Sequence, residues 1–225
     1  PEPVVLDLDS LSGFAHMISQ IIDFRSRFTA THSSGVAAAS AAIASCLGFS
    51  EKECRLIYVA GLLHDLGKLA IPDQILEKPG TLSQEEFAVI RSHTYYTYHS
   101  LTAIEGLEEL ATWAAYHHER LDGTGYPFHL PGEKLSPQAR LMAVADIYTA
   151  LSEDRPYRKG MERPQVERAL LELVEQQAID ATIVNCLLDN YQAVDLARQE
   201  AQAKAVSAYD DFRETINRAV YIYRY

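Results

Sequence analysis

The sequence predicts an all-α protein, on three observations. Apolar residues recur at helical spacing along almost the whole chain, and helix-start signals precede several of these runs. Period-two alternation is confined to residues 4–8 and 221–223. In chain order, Leu11, Phe14, Ile18, Ile21, Ile22 and Phe28 mark a first helix with Ser10 as the expected N-cap. Residues 33–47 predict an Ala-rich helix whose small side chains let its neighbours approach closely, and residues 51–66 a third helix. Pro72 and Pro79-Gly80 punctuate a connector, after which Ser83-Gln84-Glu85-Glu86 forms a capping box opening a helix that runs through His93. A further helix is expected over 107–118, followed by a Gly- and Pro-containing irregular stretch over 119–136. Structureless loops of that length are uncommon unless functional or disordered. Ser136-Pro137 combines an N-cap with proline at N1 and launches a helix over 138–152; Arg163-Pro164 opens another. The remainder, 178–220, predicts Ala/Gln/Glu-rich helix. The expected organisation is one domain over 1–165 and a helical C-terminal extension over 166–225, packed on or continuing it.

Composition narrows the function classes. The 225 residues are 48% hydrophobic, enough for a sizeable core, and 23% charged, which is ordinary for a folded chain. A net charge of −11 argues against sequence-independent binding of a nucleic acid polymer, which needs a basic surface. The longest apolar stretch, over 36–47, is Ser-interrupted and well short of the ~18 residues of a membrane span. No basic segment followed by an apolar one marks a secretory signal, and the chain opens at Pro1, as an excised piece of a longer protein would. Cys46, Cys54 and Cys186 are odd in number and show no CxxC spacing, which reads as cytoplasmic thiols outside any disulfide or thiolate zinc framework.

Eight histidines are the unusual feature. Asp146 sits inside the apolar run 141–151, where a buried lone carboxylate costs several kcal/mol unless paired or metal-bound. No Lys or Arg lies within one turn, which leaves a distant arginine, an exposed face or a metal. His64-Asp65 closes another apolar run; adjacent helical residues diverge by ~100°, so such a pair suits a site with two targets. His117-His118-Glu119 repeats the arrangement, while His32 and His93 are individually unremarkable. Together these five imidazoles and two carboxylates make the inventory of a two-metal site, with a donor set suited to Fe, Mn or Zn. His16, His99 and His129 are left as structural or surface residues.

At this point the sequence resembles the HD-GYP phosphodiesterases, a branch of the HD phosphohydrolase superfamily. The matching text runs through Thr31-His32-Ser33, His64-Asp65-Leu66-Gly67-Lys68, Ile71-Pro72-Asp73, Lys78-Pro79-Gly80 and His93. It continues through residues 117–127 (HHERLDGTGYP), Ala145-Asp146 and Asp154-Arg155-Pro156-Tyr157-Arg158. The resemblance implies an HD-domain-like helical bundle. It also implies a first metal on His32, His64, Asp65 and Asp146, and a second sharing Asp65 and taking His93, His117 and His118. Fe or Mn is expected, with Zn, Ni and Mg as alternatives. Phe28 stands where some members carry a Glu that binds a third metal, so two metals are expected. Thr97, within Tyr95-Tyr96-Thr97-Tyr98, replaces a frequent family glycine; that aromatic cluster is expected to be core, with a base-stacking border as the alternative.

The implied reaction is hydrolysis of cyclic di-GMP, or a related cyclic dinucleotide, to the linear dinucleotide and on to GMP, by a hydroxide bridging the two metals. Asp65 and Lys68 would be catalytic, Lys68 contacting the phosphate or the bridging water. Arg155 and Arg158 match positions that hold substrate phosphates, with Tyr126 and Gly125 at the rim. Glu119 is expected to orient a metal-bound histidine. Asp122 is expected to shape an Asp-Gly turn in which Gly123 and Gly125 supply positive φ, and Lys78 to be structural. The partner the resemblance implies is a diguanylate cyclase (GGDEF) domain; an upstream sensory or receiver domain is a separate expectation. The Ala/Gln/Glu-rich C-terminal helix is expected to be solvated, with pairing to a second copy of the chain as the alternative. The alternatives are another HD phosphohydrolase acting on nucleoside phosphates or (p)ppGpp, and a cyclic-dinucleotide-binding module that signals without turnover.

Overall fold

The computed structural model describes residues 5–25, 31–154 and 158–222, with side chains as far as residue 216. Phe28 and Arg155 fall outside these residues. Ten α-helices and two short 3₁₀ segments make up the described chain, which holds no strand, as the sequence predicts.

The first helix, α1 (Leu8–Arg25), starts two residues ahead of Ser10. Asp7 is the capping residue, its carboxylate accepting from the Ser10 amide at 2.8 Å. The Ala-rich α2 (His32–Cys46) and α3 (Glu51–Leu63) cross very closely. A Cβ placed on Gly61 would lie 2.5 Å from the Ala37 Cα, so only glycine permits this approach. Ser50 and Glu53 form a capping box for α3 that the sequence reading passed over. The helix ends at Leu63, earlier than expected, and a 3₁₀ turn (Leu66–Ala70) follows Asp65.

After a short α4 (Asp73–Leu76), the expected Ser83–Glu86 capping box opens α5 (Gln84–Thr102). Lys78 pairs with Glu86 at 2.6 Å, the structural role expected of it. The next helix, α6 (Glu108–Ala115), stops before the histidine pair, so His117 and His118 lie in the turn beyond it. The irregular stretch that follows contains a 3₁₀ turn (Gly132–Lys134) and one antiparallel bridge between Asp122 and Pro131. Ser136 caps α7 (Pro137–Ser152), with its hydroxyl accepting from the Ala139 amide.

The predicted continuous C-terminal helix is instead two. After α8 (Arg163–Glu175), Asp180 caps α9 (Ala181–Asp189) by accepting from the Thr182 and Ile183 amides. A break at Asn190, whose side chain donates to the Cys186 carbonyl, then leads into α10 (Tyr191–Ile222). A polar network joins α10 to α7: the buried Tyr148 hydroxyl donates to Asp195, which also accepts from Arg198, and Arg198 donates to Gln202. α10 also lies along α2, close enough that a Cβ on Gly35 would sit 2.8 Å from the Gln202 amide nitrogen. Val36, Ile43, Ile57, Leu62, Leu141, Val144, Leu170 and Leu187 are among the fully buried residues of the core that α2, α3, α7, α8 and α9 share.

Candidate metal centre

Five segments of the chain, three helix ends or turns and two helix interiors, deliver the polar cluster to one place. His32 opens α2; His64 and Asp65 follow α3; His93 lies mid-way along α5; His117 and His118 follow α6; Asp146 lies inside α7. All but His118 are buried, and the His118 side chain is 32% exposed, so the cluster is open on that side. Three groups of potential ligand atoms lie within 4.8 Å of one another: His32, His64 and Asp146; His64, Asp65 and His117; His93, His117 and His118. The structure thus brings together all seven residues that the sequence singled out as ligands.

The ring orientations are fixed by the backbone. Nδ1–H of His64, His93 and His117 each donates, at 2.7 Å, to a carbonyl three residues earlier: Gly61, Ile90 and Ala114. A carbonyl can only accept, so Nδ1 carries a proton, and in the neutral ring Nε2 is the nitrogen with the lone pair. The Nε2 atoms of His93 and His117 then face each other at 3.3 Å. Two lone pairs at that distance, both buried, need a cation or a shared proton between them. Burial pushes His93 down to about 3 and holds His117 well below the usual imidazole range, which disfavours the shared proton. The donor set, imidazole with carboxylate, therefore fits a metal ion.

The carboxylates are held ionised. Burial alone would raise them, but His64 and Lys68 beside Asp65, and His32 and His118 beside Asp146, more than offset it, and both stay well below the usual range. Lys68 Nζ donates to Asp65 Oδ2 at 2.6 Å. Burial works against the lysine's charge too, yet Asp65 lifts its pKa above the ordinary value. The 3₁₀ turn that carries Lys68 is tied down from α1, where Arg25 donates to the Lys68 and Ile71 carbonyls and pairs with Asp73.

Thr97 has a definite role. Its hydroxyl accepts from the Gly67 amide at 2.9 Å and donates to the His64 carbonyl at 3.0 Å, joining α5 to the His64–Lys68 segment. Gly67 itself is pressed so closely onto α5 that an added Cβ would lie 1.9 Å from the His93 carbonyl oxygen. The expected aromatic core is only partly realised. Tyr98 is half-buried and stacks on Tyr116, whereas Tyr95 and Tyr96 are 45% and 43% exposed.

The rim loop differs from expectation in two details. Glu119 holds no histidine; its carboxylate accepts from the Phe128 and Leu130 amides and so shapes the loop. Gly123 has the expected positive φ of 75°, and Asp122 accepts from both the amide and the hydroxyl of Thr124. Gly125 does not have positive φ. It is required because a Cβ there would lie 2.3 Å from the Arg120 nitrogen and 2.4 Å from the Glu119 Cα. Tyr126, joined to Pro127 by a cis peptide, donates its amide to the His118 carbonyl and places its ring 4.8 Å from the His118 ring. Arg158 donates to the Ala150 carbonyl at 2.6 Å and is otherwise exposed.

Two buried acids went unnoticed in the sequence. Glu153 accepts from His32 Nδ1 at 3.1 Å, opposite the His32 Nε2 contact with Asp146 at 3.0 Å. Burial opposes charge on His32, but these carboxylates outweigh it and raise the ring to about 10. Gln202 of α10 donates to Glu153 in turn at 3.2 Å. The signal was available, since Glu153 follows Asp146 by two helical turns and so shares its face. Asp23 on α1 accepts from Ser33, and burial raises it to about 7.

This constellation of histidines and aspartates on an all-α frame has the make-up of a candidate metal centre. The chain belongs to the HD domain family, whose model matches residues 16–183, and within it to the HD-GYP branch. It is 34% identical over 187 residues to 3′3′-cGAMP-specific phosphodiesterase 1 of Vibrio cholerae, covering 83% of this chain and 43% of that protein. To a cyclic di-GMP phosphodiesterase of Pseudomonas aeruginosa it is 42% identical over 146 residues, covering 64% of this chain and 35% of the relative. The chain thus spans roughly two fifths of the length of these curated relatives. A crystal structure of a cyclic GMP-AMP specific phosphodiesterase of V. cholerae superposes with a TM-score of 0.53 at 32% identity, over 85% of this chain and 42% of that one. An HDGYP protein from Bdellovibrio bacteriovorus, at 18% identity and a TM-score of 0.59 over 83% of this chain and 65% of that one, shares the fold. Among the described residues no helix is long and apolar enough to cross a membrane.

Proposed function

We propose that this chain hydrolyses a phosphodiester bond of a cyclic dinucleotide, with cyclic di-GMP and 3′,3′-cGAMP as the candidate substrates. The observation that carries the reading is the set of carbonyl-locked imidazoles turned inward on Asp65 and Asp146. His32, His64, Asp65 and Asp146 would hold one divalent cation, and Asp65, His93, His117 and His118 a second. Bound there, Fe or Mn would neutralise the phosphoryl oxygens and acidify the attacking water.

The chain's own residues then have separable tasks. The carbonyls of Gly61, Ile90 and Ala114 hold three imidazoles in the ligating tautomer. Asp65 keeps Lys68 protonated, so that its ammonium can donate to a phosphoryl oxygen as charge develops there. The open side at His118 gives the substrate its approach, with the Tyr126 ring as a wall. The named relatives, which act on cyclic di-GMP or 3′3′-cGAMP, support the substrate class.

The test is a product assay on protein loaded anaerobically with Fe or Mn. Linear dinucleotide is expected from cyclic di-GMP, from 3′,3′-cGAMP or from both, with turnover abolished in Asp65→Ala. Fully metallated protein that binds cyclic dinucleotides without cleaving them would overturn the enzymatic reading and leave a binding module.

A further inference from the structure

A cyclic dinucleotide carries two phosphodiester anions separated by a ribose on either side of the ring. While one sits at the histidine cluster the other must lie a short way along the rim. A chain of net charge −11 needs a specific cation there. Lys68 is engaged with Asp65, and Arg158 directs a donor at the end of α7.

Arg91 is different. It lies two residues before His93 on α5, is half-buried, and among the described residues has neither a carboxylate partner nor a side-chain hydrogen bond. Its contacts are aromatic faces: the guanidinium carbon is 4.5 Å from the Tyr126 ring centroid and 5.8 Å from that of Phe87. The same Tyr126 ring touches His118, so a single ring's breadth separates the guanidinium from the open side of the cluster. Aromatic contacts of this kind take up none of the conventional hydrogen-bond acceptors, so the guanidinium N–H donors stay without such a partner among the described residues. Those donors form the planar fork that matches a phosphate bidentately. A cation fixed by two rings, with its donors free, has lost orientational freedom before any ligand arrives.

We infer that Arg91, oriented by Tyr126 and Phe87, binds the phosphodiester of the cyclic dinucleotide that is not being cleaved. The inference rests on the cyclic-dinucleotide reading above. Arg91 touches substrate in this assignment and takes no part in bond breaking, so it acts on affinity for substrates with two phosphates and is indifferent to those with one.

The experiment compares the full chain with Arg91→Gln and Arg91→Lys, all brought to equal metal content. KM is measured for the cyclic dinucleotide, kcat/KM for bis(p-nitrophenyl) phosphate, which has a single diester, and Kd for a phosphorothioate cyclic dinucleotide. Loss of a charge-assisted pair predicts KM and Kd about 10- to 100-fold higher in Arg91→Gln, with kcat within a few-fold of the parent. The single diester should be cleaved as before, and Arg91→Lys should recover part of the affinity. Unchanged KM and Kd in Arg91→Gln would overturn the assignment. An equal loss on both substrates would also overturn it, since that pattern means Arg91 merely props Tyr126 against His118. If the parent cleaves the single diester but neither binds nor cleaves any cyclic dinucleotide, the substrate reading itself fails.

Discussion

Thr97→Val is the sharpest probe of how the ligands are held. The change keeps the β-branched shape and removes only the hydroxyl, so the core neither gains nor loses volume. The Gly67 amide and the His64 carbonyl, both buried, lose the partner they share at 2.9 and 3.0 Å. A buried backbone group left unpaired costs about 1–3 kcal/mol, so two such groups predict a loss of roughly 2–6 kcal/mol. With a urea m-value of about 3 kcal/mol/M, near the upper end for single domains, the midpoint should fall by about 0.7–2 M. Equilibrium urea unfolding of metal-free protein, followed by far-ultraviolet circular dichroism, measures this directly. Thr97→Ser keeps the hydroxyl and should stay close to the parent. A Thr97→Val midpoint within about 0.2 M of the parent would refute the claim that this hydroxyl ties α5 to the His64–Lys68 segment.

Three further outcomes are expected. Gly67→Ala forces a Cβ against backbone atoms of His93 and Thr97 that cannot move aside, and should cost more than about 3 kcal/mol, seen as a lowered urea midpoint or failure to fold. Glu153→Gln keeps a hydrogen-bond acceptor for His32 but removes its charge, and should weaken metal binding about 10- to 100-fold in a chelator competition, unchanged affinity counting against a supporting role for Glu153. Asp23 has a folded pKa of about 7 against 3.8 for the free side chain, so its contribution to stability is fully present below pH 3.8 and lost as pH rises through 7. In metal-free protein the stability of the parent relative to Asp23→Asn should therefore decline between pH 4 and pH 7, by up to roughly 4 kcal/mol, and a difference that is flat with pH would contradict the burial argument.

The residues of the buried histidine–aspartate cluster were legible because their chemistry is incompatible with their surroundings. Asp146 inside an apolar helix and His64-Asp65 at the end of another demand an explanation that few structures other than a metal site provide. Helices with explicit punctuation were legible too, as at Ser83–Glu86 and Ser136-Pro137. Ends without punctuation were not. Nothing in residues 107–118 signals that α6 stops at Ala115, whereas Asp189-Asn190, two weak helix formers, did mark the break before α10 and were read as helix. Residues whose role depends on a distant partner were the hardest to find. Thr97 read as a departure from a family pattern and proved to be a tie between two segments, while Glu119 read as support for a histidine and instead shapes its own loop. Gly125 was expected to supply positive φ and does not; a side chain there is excluded by the backbone of residues 119–120 beside it.

The link from Arg198 through Gln202 and Glu153 to His32 bears on where this protein can be divided. The family match ends at residue 183, and every expected metal ligand lies before it. A fragment cut there would keep its full complement of ligands and lose the donor that steadies the carboxylate behind the first of them. Such a fragment could still capture metal while holding His32 less firmly, so metal content alone would be a poor certificate of an intact site. The helix that supplies none of the expected ligands sets how rigidly His32 is held.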